Sequence, residues 1–207
     1  MYRLADPYEV KELAKWCDDI LHAVQDEVRD YFTFDIRLIG SGDKGLVTQN
    51  ANEPFDLDYN LILQKDKKNL LNNPKKIKDI FISSFNRVLE ANVSNYKGAS
   101  DSTPVITLKI KNGAKISFSF DVAIIVENND GVFYRLTHDK NTERYIWNEV
   151  PRSADYFERV QRVKENDLWE DFRYRYLELK NMHLRRGDRV KSFSIFLETL
   201  NEKRFRG

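Results

Sequence analysis

Residues 55–63 read FDLDYNLIL. Side chains on a strand alternate between faces, so Asp56, Asp58 and Asn60 share one face while Leu57, Tyr59, Leu61 and Leu63 take the other. Two carboxylates at i and i+2 on one strand repel, and each resists ionisation unless a cation sits between them. A divalent metal resolves that conflict. Carboxylate oxygens with open water positions suit magnesium, which binds one or two carboxylates together with substrate phosphates. The segment therefore predicts a strand with one buried apolar face and one face able to hold a cation.

A second segment, ISFSFDVAIIV at 116–126, has the same alternation and carries Asp121 on its polar side with Ser117 and Ser119. If the two strands are neighbours, Asp121 joins Asp56 and Asp58 as a third ligand. Three convergent carboxylates make a two-metal site for in-line displacement at phosphorus. Gly40-Ser41-Gly42 follows directly on the apolar stretch IRLI. A small-residue turn at a strand end points backbone N–H groups outward at an anion, and the serine hydroxyl adds a donor. Neither the dinucleotide fingerprint nor the P-loop spacing is met.

The elements around these motifs set the fold class. Residues 7–31 read as one long helix, capped by Asp6 with Pro7 in its first turn. A strand is expected over 35–39, a polar loop or irregular hairpin over 46–54, and a second helix from Asn73-Pro74 to about Ala91. Strands over 105–111 and 115–126 flank the turn signal Asn112-Gly113, and the NNDG stretch at 128–131 leads to a strand near 132–136. From Ser153 onward the pattern is helical, in three pieces breaking near Asn166 and Arg186-Gly187-Asp188. The expected class is α+β: a mixed sheet preceded by a long N-terminal helix and followed by a C-terminal helical segment. The domains drawn from this are 1–150, a core with its N-terminal helix, and 151–207, a helical segment closing a cleft.

Composition narrows the class without choosing a function. The chain has 207 residues, 34 Lys+Arg against 33 Asp+Glu, 41% hydrophobic and 32% charged residues, which fits a soluble globular protein. A net charge of +1 argues against coating nucleic acid by bulk electrostatics. The longest aliphatic stretch, 122–126, is too short for a bilayer, and the start MYRLADPYEVKELAK shows no secretory signal. Cys17 is the one cysteine, so no internal disulfide forms and no cysteine-based zinc site exists. A reducing, cytoplasmic setting without membrane attachment is expected.

The order strand, Gly40-Ser41, Asp56-Leu57-Asp58 and a strand-borne Asp121 resembles the DNA polymerase β-like nucleotidyltransferase superfamily. Within it, the chain looks most like the branch of oligoadenylate synthetases, cyclic GMP-AMP synthase and their bacterial relatives. The long helix before the first strand and VITLKIKNGAKISFSFDVAIIV at 105–126 are similar to that branch. The resemblance implies a nucleotidyltransferase core. It implies transfer of a nucleoside monophosphate from a nucleoside triphosphate to an acceptor hydroxyl, with two magnesium ions, or manganese in their place, held by Asp56, Asp58 and Asp121. It further implies phosphate contacts from Gly40, Ser41 and Gly42. In LELKNMHLRRGDRVKSFSIFLETL at 177–200, Lys180 and Ser192 match the lysine and serine that contact the triphosphate.

The acceptor stays open among a nucleotide, an RNA end, a small molecule and a protein hydroxyl, and the short chain leaves room for a partner subunit. Residues 172–191 carry a local excess of five positive charges, from Arg173, Arg175, Lys180, Arg185, Arg186, Arg189 and Lys191 against Glu178 and Asp188. Two rival readings keep the same fold: an inactive nucleotide-sensing module that binds a triphosphate without turnover, and a nucleic-acid-binding module that uses this segment.

Overall fold

The structure is a computed structural model that describes residues 1–51, 53–94, 96–112, 115–151 and 156–206. It is α+β and divides into two compact units. One comprises Asp6–Val47 and Pro54–Val150; the other comprises Met1–Ala5, Thr48–Glu53 and Pro151–Gly207.

The larger unit is a seven-stranded mixed sheet backed by two helices. Its strands are β2 (Phe32–Ile39), β4 (Asp56–Asp66), β5 (Ser100–Asp101), β6 (Ile106–Asn112), β7 (Lys115–Glu127), β8 (Phe133–Asp139) and β9 (Arg144–Glu149). The order is β2-β4-β7-β6-β5, and β8 pairs with the far end of β7 and with β9. The β4·β7 pair is parallel, and the other pairs of this sheet are antiparallel. Helices α1 (Pro7–Glu27) and α3 (Pro74–Asn92) lie on its apolar face. Asp6 caps α1 by accepting from the Tyr8 N–H at 2.8 Å, and Asn73 caps α3 by accepting from Lys76. Between β2 and β4 sits the one-turn helix α2 (Gly40–Lys44).

Leu57, Tyr59, Leu61, Phe120, Val122 and Leu108 are buried from the sheet, with Cys17, Leu21 and Val24 from α1 and Ile77, Phe81 and Phe85 from α3. Aromatic rings tie the layers: Phe32 stacks on Phe81 at 5.7 Å, and Phe120 meets the edges of Trp16 and Phe85. A lysine is sealed in this unit. Lys78, 1% exposed, lies 3.1 Å from Asp101 and donates to the carbonyls of Ser102 and Val105. Asp101 also accepts from the Tyr145 hydroxyl and faces His138 at 2.9 Å. A buried cation persists only with such partners.

The smaller unit contains α4 (Tyr156–Glu165), α5 (Trp169–Arg186), α6 (Ser192–Leu200) and a final 3₁₀ turn, Lys203–Phe205. A two-stranded ribbon of β1 (Tyr2–Leu4) and β3 (Thr48–Asn50) completes it. Phe172, Phe196 and Phe205 pack edge to face at its centre. Among the described residues no helix is long and apolar enough to cross a membrane.

Several boundaries differ from the sequence reading. Helix α1 stops at Glu27, because the next backbone N–H groups close a turn into β2, which begins at Phe32 and not Asp35. The glycine segment is a helical turn closed by Gly45 in the left-handed region, φ +64. The polar stretch 46–54 contains β3, and β9 is a strand that the sequence reading does not anticipate. The Asn112-Gly113 turn and the expected helix start at Ser153 lie outside the described residues.

Candidate active site

The acidic residues meet on the polar face of the sheet because β4 and β7 run parallel in a fixed register. Asp58 lies opposite Asp121, and Asp56 lies opposite Ser119. The Ser119 hydroxyl donates to Asp56. On the other side of β7, Thr107 is the register partner of Asp121 and Lys109 that of Ser119.

The electrostatics follow from that crowding. Burial first, then the charges of Asp121 and Asp56, push Asp58 up to about 6, against the pull of the Arg135 guanidinium. Asp121 is also raised, by burial and by Asp56, while the Thr107 hydroxyl and Lys109 oppose the rise. Arg135 reaches this group from β8, where it pairs with Ile125. Its Nε and the Oδ1 of Asn60, one step beyond Asp58 on the same face, are buried without a hydrogen-bond partner among the described residues.

Strand β2 delivers the glycine segment to the same place. Ile39 is the register partner of Asp58, so Gly40 begins α2 directly beside that carboxylate. A Cβ on Gly40 would stand 2.9 Å from Asp58 Oδ2, and its φ of +66 is in the left-handed region. Ser41 follows within α2, half-buried, and its carbonyl accepts from the Leu46 N–H at 2.9 Å. Gly42 has a packing reason of its own, since a Cβ there would meet Leu38 at 2.8 Å and Leu57 at 3.2 Å.

Lys180 and Ser192 belong to the smaller unit and come together around Tyr176. The Lys180 ammonium lies 5.7 Å from the Tyr176 ring centre and 4.6 Å from that of Tyr2, and it donates to the Thr48 hydroxyl. Burial pulls it down to about 8. Ser192, the first residue of α6, is hydrogen-bonded to the Tyr176 phenol, which burial raises. The basic stretch is not one phosphate-facing surface. Arg173 pairs with Glu170, and Arg175 with Glu178 and Glu202, leaving Arg185, Arg186, Arg189 and Lys191 as its exposed cations. Of the aromatic residues beside them, Phe172 and Tyr176 are buried and Tyr174 is 73% exposed.

Thr48, Tyr2, Thr107 and Arg135 are contributors that the sequence reading does not single out. Each acts through a neighbour from another part of the chain, and no local spacing marks that. Among the described residues, no three His, Cys, Asp or Glu side chains close around one metal-sized point. The three carboxylates stand as neighbours on a face. Their donor chemistry nevertheless fits a hard divalent cation: they are acceptor-only oxygens whose repulsion is opposed, among the described residues, by the cations Arg135 and Lys109 and by the hydroxyls of Ser119 and Thr107.

No family model matches the chain, and no curated protein matches it. Solved structures do. The STING-associated CdnE c-di-GMP synthase from Capnocytophaga granulosa matches with a TM-score of 0.67 at 15% identity, over 98% of this chain and 62% of that one. CdnC of E. coli MS115-1, solved with ATP, matches at 0.58 and 13%, over 95% and 59%. The Vibrio cholerae DncV cyclic AMP-GMP synthase, solved with the linear intermediate 5′ pppA(3′,5′)pG, matches at 0.61 and 9%, over 86% and 62%. The fold is therefore the one shared by these three bacterial proteins, CdnE, CdnC and DncV. The chain spans 59–62% of the length of these three structures.

Proposed function

We propose that the chain is the catalytic module of a divalent-metal-dependent nucleotidyltransferase, which moves a nucleoside monophosphate from a nucleoside triphosphate to an acceptor hydroxyl. The observation that carries this reading is the in-register pair Asp58 and Asp121, with Asp56 on the same face and Gly40 against Asp58. A purely structural sheet face has no reason to gather three carboxylates in which the other two raise the proton affinity of Asp58.

In the proposed reaction the acceptor oxygen forms a bond to the α-phosphorus, the bond from that phosphorus to the β-bridging oxygen breaks, and pyrophosphate leaves. Asp56, Asp58 and Asp121 would hold the magnesium ions, or manganese, which supply charge neutralisation for the phosphates and for the attacking oxygen. Asp121 sits at the acceptor side and takes the acceptor's proton, a role that its raised proton affinity favours. Thr107, bonded to Asp121, orients that carboxylate. Ser41 and the Gly42 backbone would hold the β and γ phosphates. Such catalysis rests on positioning and charge rather than on a covalent intermediate.

The matched synthases make c-di-GMP and cyclic AMP-GMP, so a ribose hydroxyl of a second nucleotide is the first acceptor to test. The four exposed cations at 185–191 favour a second reading, binding of a polyanion without turnover. One experiment separates the two. The protein is heated with each nucleoside triphosphate, with and without magnesium, beside Asp56→Ala. Ligand at 100 times its Kd stabilises by about 2.7 kcal/mol, roughly 5–11 °C for this size. A magnesium-dependent rise that Asp56→Ala loses supports the donor site. A rise independent of magnesium and of Asp56, with steep salt dependence, supports polyanion binding.

A further inference from the structure

We propose that Thr48 and Tyr2 are positioning residues that hold the Lys180 ammonium ready for a polyphosphate. The inference deepens the proposed function and takes from it that the polyphosphate is a nucleotide's. The geometry lies wholly within the smaller unit. Strand β1 pairs with β3 in a short antiparallel ribbon, with Tyr2 opposite Asn50 and Leu4 opposite Thr48. The Asn181 amide, buried on α5, accepts from the Tyr2 N–H at 2.6 Å and donates to the Tyr2 carbonyl at 2.9 Å. The N-terminal amine closes the ribbon's end on Asn50 at 2.8 Å. The residue next to Lys180 thus pins the ribbon so that Tyr2's ring covers the ammonium and Thr48's hydroxyl accepts from it.

Among the described residues the cation has no counter-ion. The groups that face it are the Thr48 hydroxyl on β3, the Tyr2 ring on β1, and the Tyr176 ring on α5, whose phenol is taken by Ser192 on α6. Arg3 on β1 is bonded to Gln49, Glu53 just beyond β3 to Asn50, and Arg175 on α5 to Glu178 and Glu202. Ring faces and a neutral oxygen orient an ammonium without neutralising it, and a desolvated cation without an anion is costly. A lysine has three N–H donors, so the bond to Thr48 leaves others for a ligand. The complementary chemistry is a compact, multiply charged anion, which a polyphosphate supplies.

Burial holds the ammonium at about 8, so the charged, anion-binding form predominates below that pH and is lost above it. Binding of an anion should therefore weaken as pH rises through 8.

The test uses inorganic tripolyphosphate and the full chain, with calorimetric titration from pH 6.5 to 9.5. In parallel, the Lys180 titration is followed by NMR of ¹³C-methylated lysines. Thr48→Val should weaken binding about 5- to 10-fold, the scale of one ordinary hydrogen bond. It should also move the Lys180 midpoint, and Thr48→Ser should restore both. Tyr2→Leu should act in the same direction, and Lys180→Met should abolish the decline above pH 8. Unchanged affinity and midpoint in both Thr48→Val and Tyr2→Leu would overturn the proposal, as would tripolyphosphate binding to Lys180→Met with wild-type strength and pH dependence. If tripolyphosphate follows the expected pattern but no triphosphate is turned over, the proposed function fails and the positioning role stands. Turnover with indifferent Thr48 and Tyr2 variants gives the converse.

Discussion

Asp58 faces Asp121 across the parallel β4·β7 pair, directly in register, and Gly40 closes on Asp58 from the end of β2. Three strands from separate parts of the chain thus converge on one carboxylate. Its neighbours on the sheet face, Asp56 and Asp121, both make it harder to ionise. The arrangement costs stability, which is the pattern of a site built for a bound charge.

The first prediction follows from that cost. Replacing Asp58 by Asn keeps the shape and removes the repulsion. With metal absent at pH 7, Asp58→Asn should be more stable than wild type by on the order of 2 kcal/mol, a Tm rise of roughly 4–8 °C. The same variant should lose turnover. A lower Tm in the chelated variant would show that Asp58 is not strained by its neighbours.

The pH dependence has a definite sign. Asp58's folded-state value, about 6, lies above its ordinary value of 3.8, so its ionised form is disfavoured in the fold and the proton competes with any cation. Wild type without metal should gain stability from this group as pH falls from about 6 towards 4. Magnesium affinity should drop over the same interval, up to tenfold per unit where this group dominates. Thermal shift against magnesium concentration at pH 5, 6 and 7.5 measures it. An affinity independent of pH would remove Asp58 from the cation site.

Gly40 and Gly45 make a matched pair of probes. Both have left-handed backbone, φ +66 and +64, so an alanine at either costs about 1–2 kcal/mol in backbone strain. At Gly45 a Cβ meets nothing within 4 Å, whereas at Gly40 it meets Asp58 Oδ2. The two variants should be similarly destabilised in urea, but only Gly40→Ala should lower kcat, because it alone displaces the Asp58 carboxylate. Equal kcat values would detach the glycine segment from the site.

How far these features were legible depends on the range over which each is encoded. The alternation at 55–63 and 116–126 showed which side of each strand would be buried, since a one-residue slip would send Leu57 and Phe120 to solvent. The Asp6 and Asn73 caps and the break at Arg186-Gly187-Asp188 were equally local signals. Apposition of Asp58 with Asp121 was not local: it depends on a parallel crossover, and the residues alone could state it only as a condition. Strand β3 was missed because three polar residues have no apolar alternation, and its pairing partner lies 46 residues away. Strand β9 was missed for the same lack, being an edge strand that is mostly exposed. Thr48 and Tyr2 became visible only once that ribbon was in place.

The sealed lysine gives a last prediction, independent of catalysis. Lys78 is nearly inaccessible and depends on Asp101, which burial alone would raise but which the Tyr145 hydroxyl and Lys78 hold below its usual range. Asp101→Asn leaves the cation with carbonyl oxygens alone and should cost about 3–5 kcal/mol at pH 7, the scale for breaking a buried pair. Lys78→Met removes the buried charge, and Asp101 keeps Tyr145 and His138, so its loss should be smaller. Burial already lowers Lys78, and without Asp101 it should fall further below its unfolded value. The charged form is then the disfavoured one in the fold, so the deficit of Asp101→Asn is largest at low pH and shrinks as the ammonium loses its proton. Urea denaturation of both variants at pH 7 and 9.5 measures this. A deficit in Asp101→Asn that does not shrink at the higher pH would mean that the carboxylate packs β5 against β8 and β9 rather than neutralising Lys78.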